Sequence, residues 1–524
     1  MKPKIFFTLL LLLCFNIQPS IAQNIIRQGF NAINVREYVC TSLPRRRKAD
    51  WGNERHYEES QVNLGPLSRI TPQAVPQEDV VITHEDVDRA HDRVRVSAAR
   101  AQRGAFSKFR LLWLLVGPGI LVMLGENDGP SMISYAATGA RFGIGFFIPF
   151  VILTFCMAIV VQEMTMRLGS ATHRGHAELI FDRFGPFWGW FSMIDLGIGN
   201  FLTLITEFIA IRAGLGFFGV PPWAAVGSAL VFLCLAVAMH RYWTWERTLL
   251  AIAIFNLVFV PVALLTHPNW HSVGSALVTW KPLPGGLSQE TLIIVLADIG
   301  ATVTPWMLFF QQSATVDKGL TRKDIHLGRI DTVVGAALAA IAAVATILAT
   351  APLFAHHMTA ENFQGAEFAQ ALQPLIGRFG AALFALGIVE AGLVASVTIS
   401  ISSAYAFGEV ARRPHSLNLP VGQGRAFYSV LFLCAATAGA IVLIPGLPLV
   451  YVVLLVNVVA VLAMPPALVF LFMLANDREV MGDLVSPRWA NILATSVVVF
   501  LTLAGLLFGI SVIAPNVFAF LGGK

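Results

Sequence analysis

Two acidic residues lie in one membrane-length apolar run, directly before residues that interrupt a helix. The run over 111–139 contains Glu126 and Asp128, and Gly129-Pro130 follows them. A carboxylate at bilayer depth is costly and usually marks the path of an ion or a proton. Because proline lacks the backbone N–H that a helix needs, carbonyl oxygens near Asp128 lose their helical partners. The segment predicts a cation site with Asp128 as its charged ligand and Glu126 as a candidate second acid or proton carrier.

A second interrupted run occurs about halfway through the apolar part of the chain, from Asp298 to Trp306. Thr304-Pro305 leaves the carbonyl of Ala301 without a helical partner, and Thr304 adds a hydroxyl. Such oxygens are hard ligands, suited to magnesium, calcium or manganese. One proline kink is often only structural, but paired interrupted helices in two halves of a chain are typical of a transporter's binding site.

Other polar residues inside apolar runs have more ordinary explanations. Asn457 is a lone amide in the tenth run, and periodicity alone favours a helix–helix contact over metal ligation. Glu207 lies five residues before Arg212, which leaves both an ion pair and a proton relay open. Glu163 and Arg167 have the i,i+4 spacing of a structural ion pair. The runs contain no Ser/His/Asp triad, phosphate-binding glycine loop or zinc motif, so no motif favours an enzyme.

The composition predicts a polytopic membrane protein. The 524 residues are 56% hydrophobic and 13% charged, with a mean hydropathy of +0.69, whereas soluble domains average about 25% charged residues. The net charge of +5 is no sign of nucleic-acid binding, because Lys and Arg lie mainly in short loops. The five cysteines have neither disulfide-framework nor metal-site spacing. We expect no bound cofactor and no nucleic acid; the expected partners are the lipid bilayer and a transported ion.

Eleven apolar runs are long enough to cross a bilayer as helices. They lie near 111–139, 144–168, 187–216, 222–240, 247–266, 291–313, 331–354, 379–408, 426–445, 447–474 and 490–514. With the N-terminus inside, the inner loops contain fourteen Lys and Arg residues and the outer loops and tail contain four. This positive-inside bias predicts a cytoplasmic N-terminus. Because five is odd, ten runs divided as five plus five form an inverted repeat, headed by the two broken helices and followed by an eleventh helix.

The first 108 residues differ from the rest of the chain. Residues 1–22 resemble a secretory signal, with an apolar stretch before Ser20-Ile21-Ala22. Because export of the following segment conflicts with the loop charges, we favour an upstream start codon or a fortuitous match over a true signal. Residues 23–108 are polar and lack periodicity, which predicts a largely disordered cytoplasmic extension. The predicted transporter domain then covers 109–515, and 516–524 form a short tail.

Several motifs resemble those of the NRAMP (natural resistance-associated macrophage protein) family of divalent metal transporters. Gly117-Pro118-Gly119, Asp128 and Ala137-Thr138-Gly139 resemble its first helix, and Gly300-Ala301-Thr302-Val303 with Pro305 resembles its broken sixth helix. Asn476–Gly482 is similar to the loop after its tenth helix. The resemblance covers about residues 108–515. It implies an all-α polytopic membrane protein with the LeuT-like inverted-repeat fold, and a metal bound between the unwound first and sixth helices.

The chain departs from the family pattern at the site that this resemblance implies. Asparagine, methionine, histidine and glutamine of the family are here Ser131, Thr304, Trp306 and Asn457, and one acid of the third helix is Leu204. The metal ligands implied by the resemblance are Asp128, Ser131, the Ala301 carbonyl, Thr304 and Asn457. Without the methionine sulfur, only oxygen donors remain, and these do not discriminate against Mg²⁺. Losing the histidine and one acid removes much of the family's proton path, of which Glu207 remains.

This pattern resembles the NRAMP-related branch that includes magnesium transporters. We therefore expect uptake of Mg²⁺, with Mn²⁺ also carried, into the cytoplasm across a bacterial inner membrane. We expect a monomer with weak or no proton coupling. The alternatives are an ordinary proton-coupled manganese or iron importer, an organic-solute symporter on the same scaffold, and a non-transporting membrane receptor.

Overall fold

The computed structural model describes residues 117–239, 241–284, 286, 288–355, 366–446 and 449–513. These residues form helices and loops, and no strand occurs among them. The α-helices are α1 (Pro118–Glu126), α2 (Gly129–Phe142), α3 (Phe147–Thr172), α4 (His176–Phe184), α5 (Pro186–Gly216), α6 (Pro222–Val237), α7 (Tyr242–Ala253), α8 (Phe259–Leu265), α9 (Trp270–Thr279), α10 (Gln289–Gly300), α11 (Pro305–Lys318), α12 (Ile325–Ala355), α13 (Ala366–Ala411), α14 (Arg425–Val442), α15 (Leu449–Ala475), α16 (Arg478–Met481) and α17 (Arg488–Ile513). The predicted segments 1–22, 23–108 and 516–524 lie outside the described residues.

All eleven predicted runs coincide with helices of the described part of the chain. Nine helical segments there are long and apolar enough to cross a membrane. The α1–α2 pair and the shorter α6 account for the other two runs. Helix α13 has a non-helical residue at Gly377, with φ 72°, so the helix that follows begins close to the predicted start at 379. The structure is therefore that of a multi-pass membrane protein.

The first predicted break lies between α1 and α2. Helix α1 ends at Glu126, and Asp128 is extended, with φ −71° and ψ 174°. Pro130 lies in the first turn of α2, where backbone N–H groups have no acceptor within the helix, so the missing N–H costs no helical hydrogen bond. The Asp128 carboxylate caps this helix by accepting a 2.8 Å hydrogen bond from the Ser131 N–H. Gly129 is needed for close approach, because a Cβ there would collide with Ala210 of α5.

The second predicted break separates α10 from α11. The Ala301 N–H still bonds the Ala297 carbonyl at 2.8 Å, but Pro305 offers no N–H to the carbonyl of Ala301. The Tyr135 hydroxyl donates to that carbonyl instead, over 2.9 Å. The carbonyl is therefore released from the helix, and the tertiary structure then supplies a partner from α2.

The two broken helices pack against many of the other helices. Helix α2 contacts α5, α10, α12, α13 and α15, while α1 contacts α11 and α12. A Cβ on Gly300 would collide with the carbonyl of Asn457, so α10 and α15 approach closely at the second break. The predicted ion pair between Glu163 and Arg167 is present at 3.2 Å. This arrangement places both breaks inside the protein rather than against lipid.

Candidate functional site

A hydrogen bond joins the two breaks. The hydroxyl of Thr304, just before α11, donates to Glu126 Oε2 at the end of α1 over 2.8 Å. Thr304 is 3% exposed, Glu126 is fully buried, and Glu126 Oε1 has no hydrogen-bond partner. The structure thus brings the two interrupted segments together, and it places Glu126 rather than Asp128 in direct contact with Thr304.

Asp128 and Ser131 provide further oxygens at the first break. Asp128 is 2% exposed, and Ser131 Oγ is buried without a hydrogen-bond partner. The ion pairs formed among the described residues include neither Asp128 nor Glu126. A buried carboxylate without a counter-charge favours binding a cation or a proton. The electrostatics of the first break therefore favour binding of a positive charge.

Glu207 is a third carboxylate at the same break. Its Oε2 accepts the Gly129 N–H over 3.2 Å, and its Oε1 is buried without a partner. Arg212 does not neutralise it, because the Arg212 guanidinium donates to the Val442 carbonyl at 2.7 Å. Asp128 and Glu126 both act electrostatically on Glu207. Of the two alternatives for Glu207, the structure disfavours the ion pair with Arg212.

Asn457 and the Ala301 carbonyl lie next to the breaks with partners of their own. The Asn457 amide donates to Ser134 Oγ of α2 over 2.9 Å, which is the helix–helix contact that its periodicity favours. The Ala301 carbonyl accepts from Tyr135. A carbonyl oxygen has two lone pairs and an amide has its own oxygen, so both residues keep an acceptor for a cation.

Asn127 and Asn256 form a hydrogen-bonded pair beside the first break that the sequence pattern does not predict. The Asn127 amide donates to the Ala339 carbonyl at 2.7 Å and to Asn256 Oδ1 at 3.2 Å, and Asn256 donates back to the Asn127 carbonyl at 3.0 Å. Asn127 Oδ1 is buried without a partner. In the sequence, the sign of this pair is one amide in each of two apolar runs. Asn256 lies in a 3-10 segment (Ile254–Val258) inside the fifth run.

The oxygens at the breaks are of mixed type. No group of three or more His, Cys, Asp and Glu is placed to hold a metal ion in the part of the chain that the structure describes. The available donors are carboxylates, hydroxyls, amide oxygens and a backbone carbonyl. Hard divalent cations accept such oxygens together with retained water.

His176 lies outside the membrane-spanning helices and is structural. It is fully buried at the start of α4, and Nδ1 lies 2.9 Å from Gln312 Oε1. Burial lowers the pKa of this imidazole to about 4, so the ring is neutral near pH 7. The ring also packs edge-on against Phe309. These contacts dock α4 on α11.

Residues 119–511 match the family described as "Natural resistance-associated macrophage protein-like". The chain is 28% identical over 414 residues to the "Divalent metal cation transporter MntH 1" of Pseudomonas aeruginosa, covering 76% of this chain and 92% of that protein. It is 27% identical over 427 residues to the "Divalent metal cation transporter MntH" of Xylella fastidiosa, covering 76% and 85%.

The fold is similar to a crystal structure of the Eremococcus coleocola manganese transporter in complex with an aromatic bis-isothiourea compound. The TM-score is 0.64 at 22% identity, and the match covers 78% of this chain and 88% of that chain. This likeness confirms the predicted all-α, LeuT-like fold class.

Proposed function

The chain belongs to the Natural resistance-associated macrophage protein-like family of membrane transporters, and from that membership we propose that its cargo is a divalent metal ion. The observation that carries this proposal is the hydrogen bond between Thr304 and Glu126 beside Asp128. This bond joins the two helix breaks next to buried carboxylates. No basic side chain among the described residues neutralises these carboxylates. Transport of a doubly charged cation supplies the missing positive charge.

The proposed ligands of the transported ion are all oxygens. Asp128 supplies the counter-charge, and Ser131, Thr304, Asn457 and the Ala301 carbonyl supply direct or water-bridged oxygens. Glu126 and Glu207 act as second carboxylates that are close enough to attract the ion or to take a proton. Because none of these donors is soft, the site suits Mg²⁺ and Mn²⁺. The unpartnered hydroxyl of Ser131 supports this assignment.

Transport follows an alternating-access cycle with weak or no proton coupling. A partly hydrated cation enters from outside between the broken helices, and the Thr304–Glu126 hydrogen bond opens to release an acceptor oxygen. One helix group then rocks against the other and exposes the ion to the cytoplasm. Inward movement down the membrane potential gains about 2.3 kcal/mol per charge per 100 mV, and a divalent ion gains twice that. A monomer in a bacterial inner membrane, with a cytoplasmic N-terminus, is sufficient for this cycle.

Uptake of Mg²⁺ and Mn²⁺ into liposomes by the wild type and Thr304→Met tests the proposal. A thioether is a soft ligand, so Thr304→Met should raise the preference for Mn²⁺ over Mg²⁺ about tenfold, roughly 1.4 kcal/mol. Thr437→Met adds the same side chain on an exposed surface of α14 and should leave the ratio unchanged. An unchanged ratio in Thr304→Met would remove Thr304 from the ligand set.

A second candidate function is proton-coupled manganese or iron import. The position of Glu207 favours it: the hydrogen bond from the Gly129 N–H places this carboxylate beside the cation site, and its buried Oε1 has no partner among the described residues and is open to a proton. Metal flux with and without an imposed pH gradient separates the two functions. Weak coupling requires less than about a twofold response in flux, and a strong response that Glu207→Gln removes would favour the second candidate.

A further inference from the structure

Helices α2 and α10 meet along a row of oxygen-bearing and charged side chains that the proposed cation site does not use. On α2 these are Tyr135, Thr138 and Arg141, which recur every three residues and therefore lie on one side of the helix. On α10 they are Glu290 and Asp298. We call these five residues the seam. Both helices form the outer halves of the two broken helices in the predicted orientation.

The seam runs from the breaks to the far ends of the two helices. At the break end, the Tyr135 hydroxyl donates to the Ala301 carbonyl and lies 3.2 Å from Thr302 Oγ1. At the far end, Arg141 and Glu290 form an ion pair. Between them, Thr138 Oγ1 lies 3.0 and 2.9 Å from the two carboxylate oxygens of Asp298. A cation that travels between the outside and the breaks along α2 and α10 would pass Asp298.

Asp298 lacks the charge partner that a buried carboxylate needs. It is fully buried, and the hydroxyl of Thr138 is the hydrogen-bond partner of its side chain among the described residues. The ion pairs of the described part of the chain leave it out. A single hydroxyl cannot compensate for removing an ionised carboxylate from water, so the site calls for a bound cation or proton.

We propose that Asp298 and Thr138 form a second cation site, at which a divalent metal ion pauses between the outside and the broken helices. This inference rests on the proposed function. One carboxylate, one hydroxyl and retained water suit a hard cation such as Mg²⁺ or Mn²⁺, which gives up its water reluctantly. A negative group on the path also raises the local concentration of the ion.

Neighbouring hydroxyls continue the oxygen surface from Asp298 towards the breaks. Thr302 Oγ1 donates to the Asp298 backbone carbonyl over 2.7 Å and lies 2.9 Å from Thr154 Oγ1. Through Tyr135, the same hydroxyl reaches the Ala301 carbonyl. An ion that leaves Asp298 therefore meets hard oxygens within one helical turn. These acceptors suit a hard metal ion, and the uptake experiment below separates a metal ion from a proton as the occupant.

Counting bound Mn²⁺ on the purified full chain in lipid nanodiscs tests the second site. The signal of free Mn²⁺ in electron paramagnetic resonance gives the number bound per chain. We expect two for the wild type, one for Asp298→Asn and one for Asp128→Asn, since each isosteric change removes one carboxylate. Asp195→Asn changes a half-buried carboxylate on α5 and should leave two.

Uptake into liposomes gives a second readout. Asp298→Asn should raise the KM for external Mn²⁺ about tenfold and leave the maximal rate within about twofold, because the inner site is intact. Thr138→Val should raise the KM about threefold, because it removes a neutral ligand.

Three results would overturn the second site. They are one Mn²⁺ bound by the wild type, two retained by Asp298→Asn, and a change in the pH dependence of uptake without a change in KM, which would make Asp298 a proton carrier. Failure of the proposed function itself would look different, because wild-type liposomes would then take up no Mn²⁺.

Discussion

Two groups of buried charges surround α1, one at each end, and they are built differently. At its C-terminal end, Glu126 and Asp128 are joined by Glu207 without a basic partner among the described residues. At its N-terminal end, the ammonium of Lys318 lies 2.7 Å from Glu246, with both side chains fully buried. We call the second group, Glu246, Lys318 and Asp331, the anchor cluster.

In the anchor cluster, Lys318 pairs with Glu246, and Asp331 holds α1 through hydrogen bonds. Asp331 accepts three backbone N–H groups at the start of α1, from Gly117 at 3.0 Å, Gly119 at 2.6 Å and Ile120 at 3.3 Å. A carboxylate at a helix N-terminus satisfies free N–H groups and complements the helix dipole. This end of α1 therefore needs no further ligand.

At the C-terminal end of α1, the break end, several buried polar atoms lack hydrogen-bond partners. Glu126 Oε1, Ser131 Oγ and Glu207 Oε1 are buried without hydrogen-bond partners. Such groups favour a ligand that supplies the missing partner, because an unsatisfied buried polar group costs free energy. Buried charge alone therefore does not distinguish the two ends of α1; the missing partners do.

Breaking the anchor cluster should give the largest loss of stability. In Lys318→Met the Glu246 carboxylate stays buried without its counter-charge, which should cost about 3–5 kcal/mol of unfolding free energy. Denaturant unfolding in detergent measures this loss. The exposed Lys323→Met is the control and should have little effect. Adding Glu246→Gln to Lys318→Met should recover part of the loss. Equal losses in Lys318→Met and the control Lys323→Met would contradict the assigned role.

Neutralising the break end should remove function and leave the fold stable. Asp128→Asn should lower metal uptake at least about 100-fold, roughly 2.7 kcal/mol, because the ion loses its counter-charge. Its unfolding free energy should stay unchanged or rise, since a buried charge without a partner is gone. Liposome uptake and denaturant unfolding measure the two effects on the same preparation. Uptake that survives in Asp128→Asn would contradict the cation site.

The smallest effect should come from Ser131→Ala. Because Ser131 Oγ has no partner in the protein, its removal should change the unfolding free energy by less than about 0.5 kcal/mol. Uptake should still fall about twofold if the hydroxyl binds the ion directly or through water. Ser131→Thr restores a hydroxyl and should recover part of the rate. A marked loss of stability in Ser131→Ala would assign the hydroxyl a structural role instead.

Local chemistry made the helices and their breaks predictable. Proline at 130 and 305 removes an N–H whatever surrounds it, and the apolar runs have the length that a bilayer requires. The family resemblance supplied the fold class, which periodicity alone could not specify. The boundaries are less well predicted: α13 begins at Ala366, whereas the predicted run begins at 379, just after the kink at Gly377.

The partners of the polar side chains could not be predicted. Thr304 contacts Glu126 across 178 positions of the chain, and Tyr135 takes the Ala301 carbonyl across 166. The distance along the chain says nothing about such pairs, because they depend on how α2, α10 and α11 are arranged. For the same reason, Arg212 bonds a carbonyl of α14 rather than Glu207.

By itself, the sequence determined where the chain crosses the membrane, where two crossings are interrupted and which carboxylates lie within them. Only the tertiary structure decided which buried acids have partners. Lys318 neutralises Glu246, whereas Asp128 and Asp298 are left without a basic side chain among the described residues. The physical reason is that composition and spacing set the cost of burying a charge, and contacts between distant helices decide whether that cost is offset within the protein or by a bound ion.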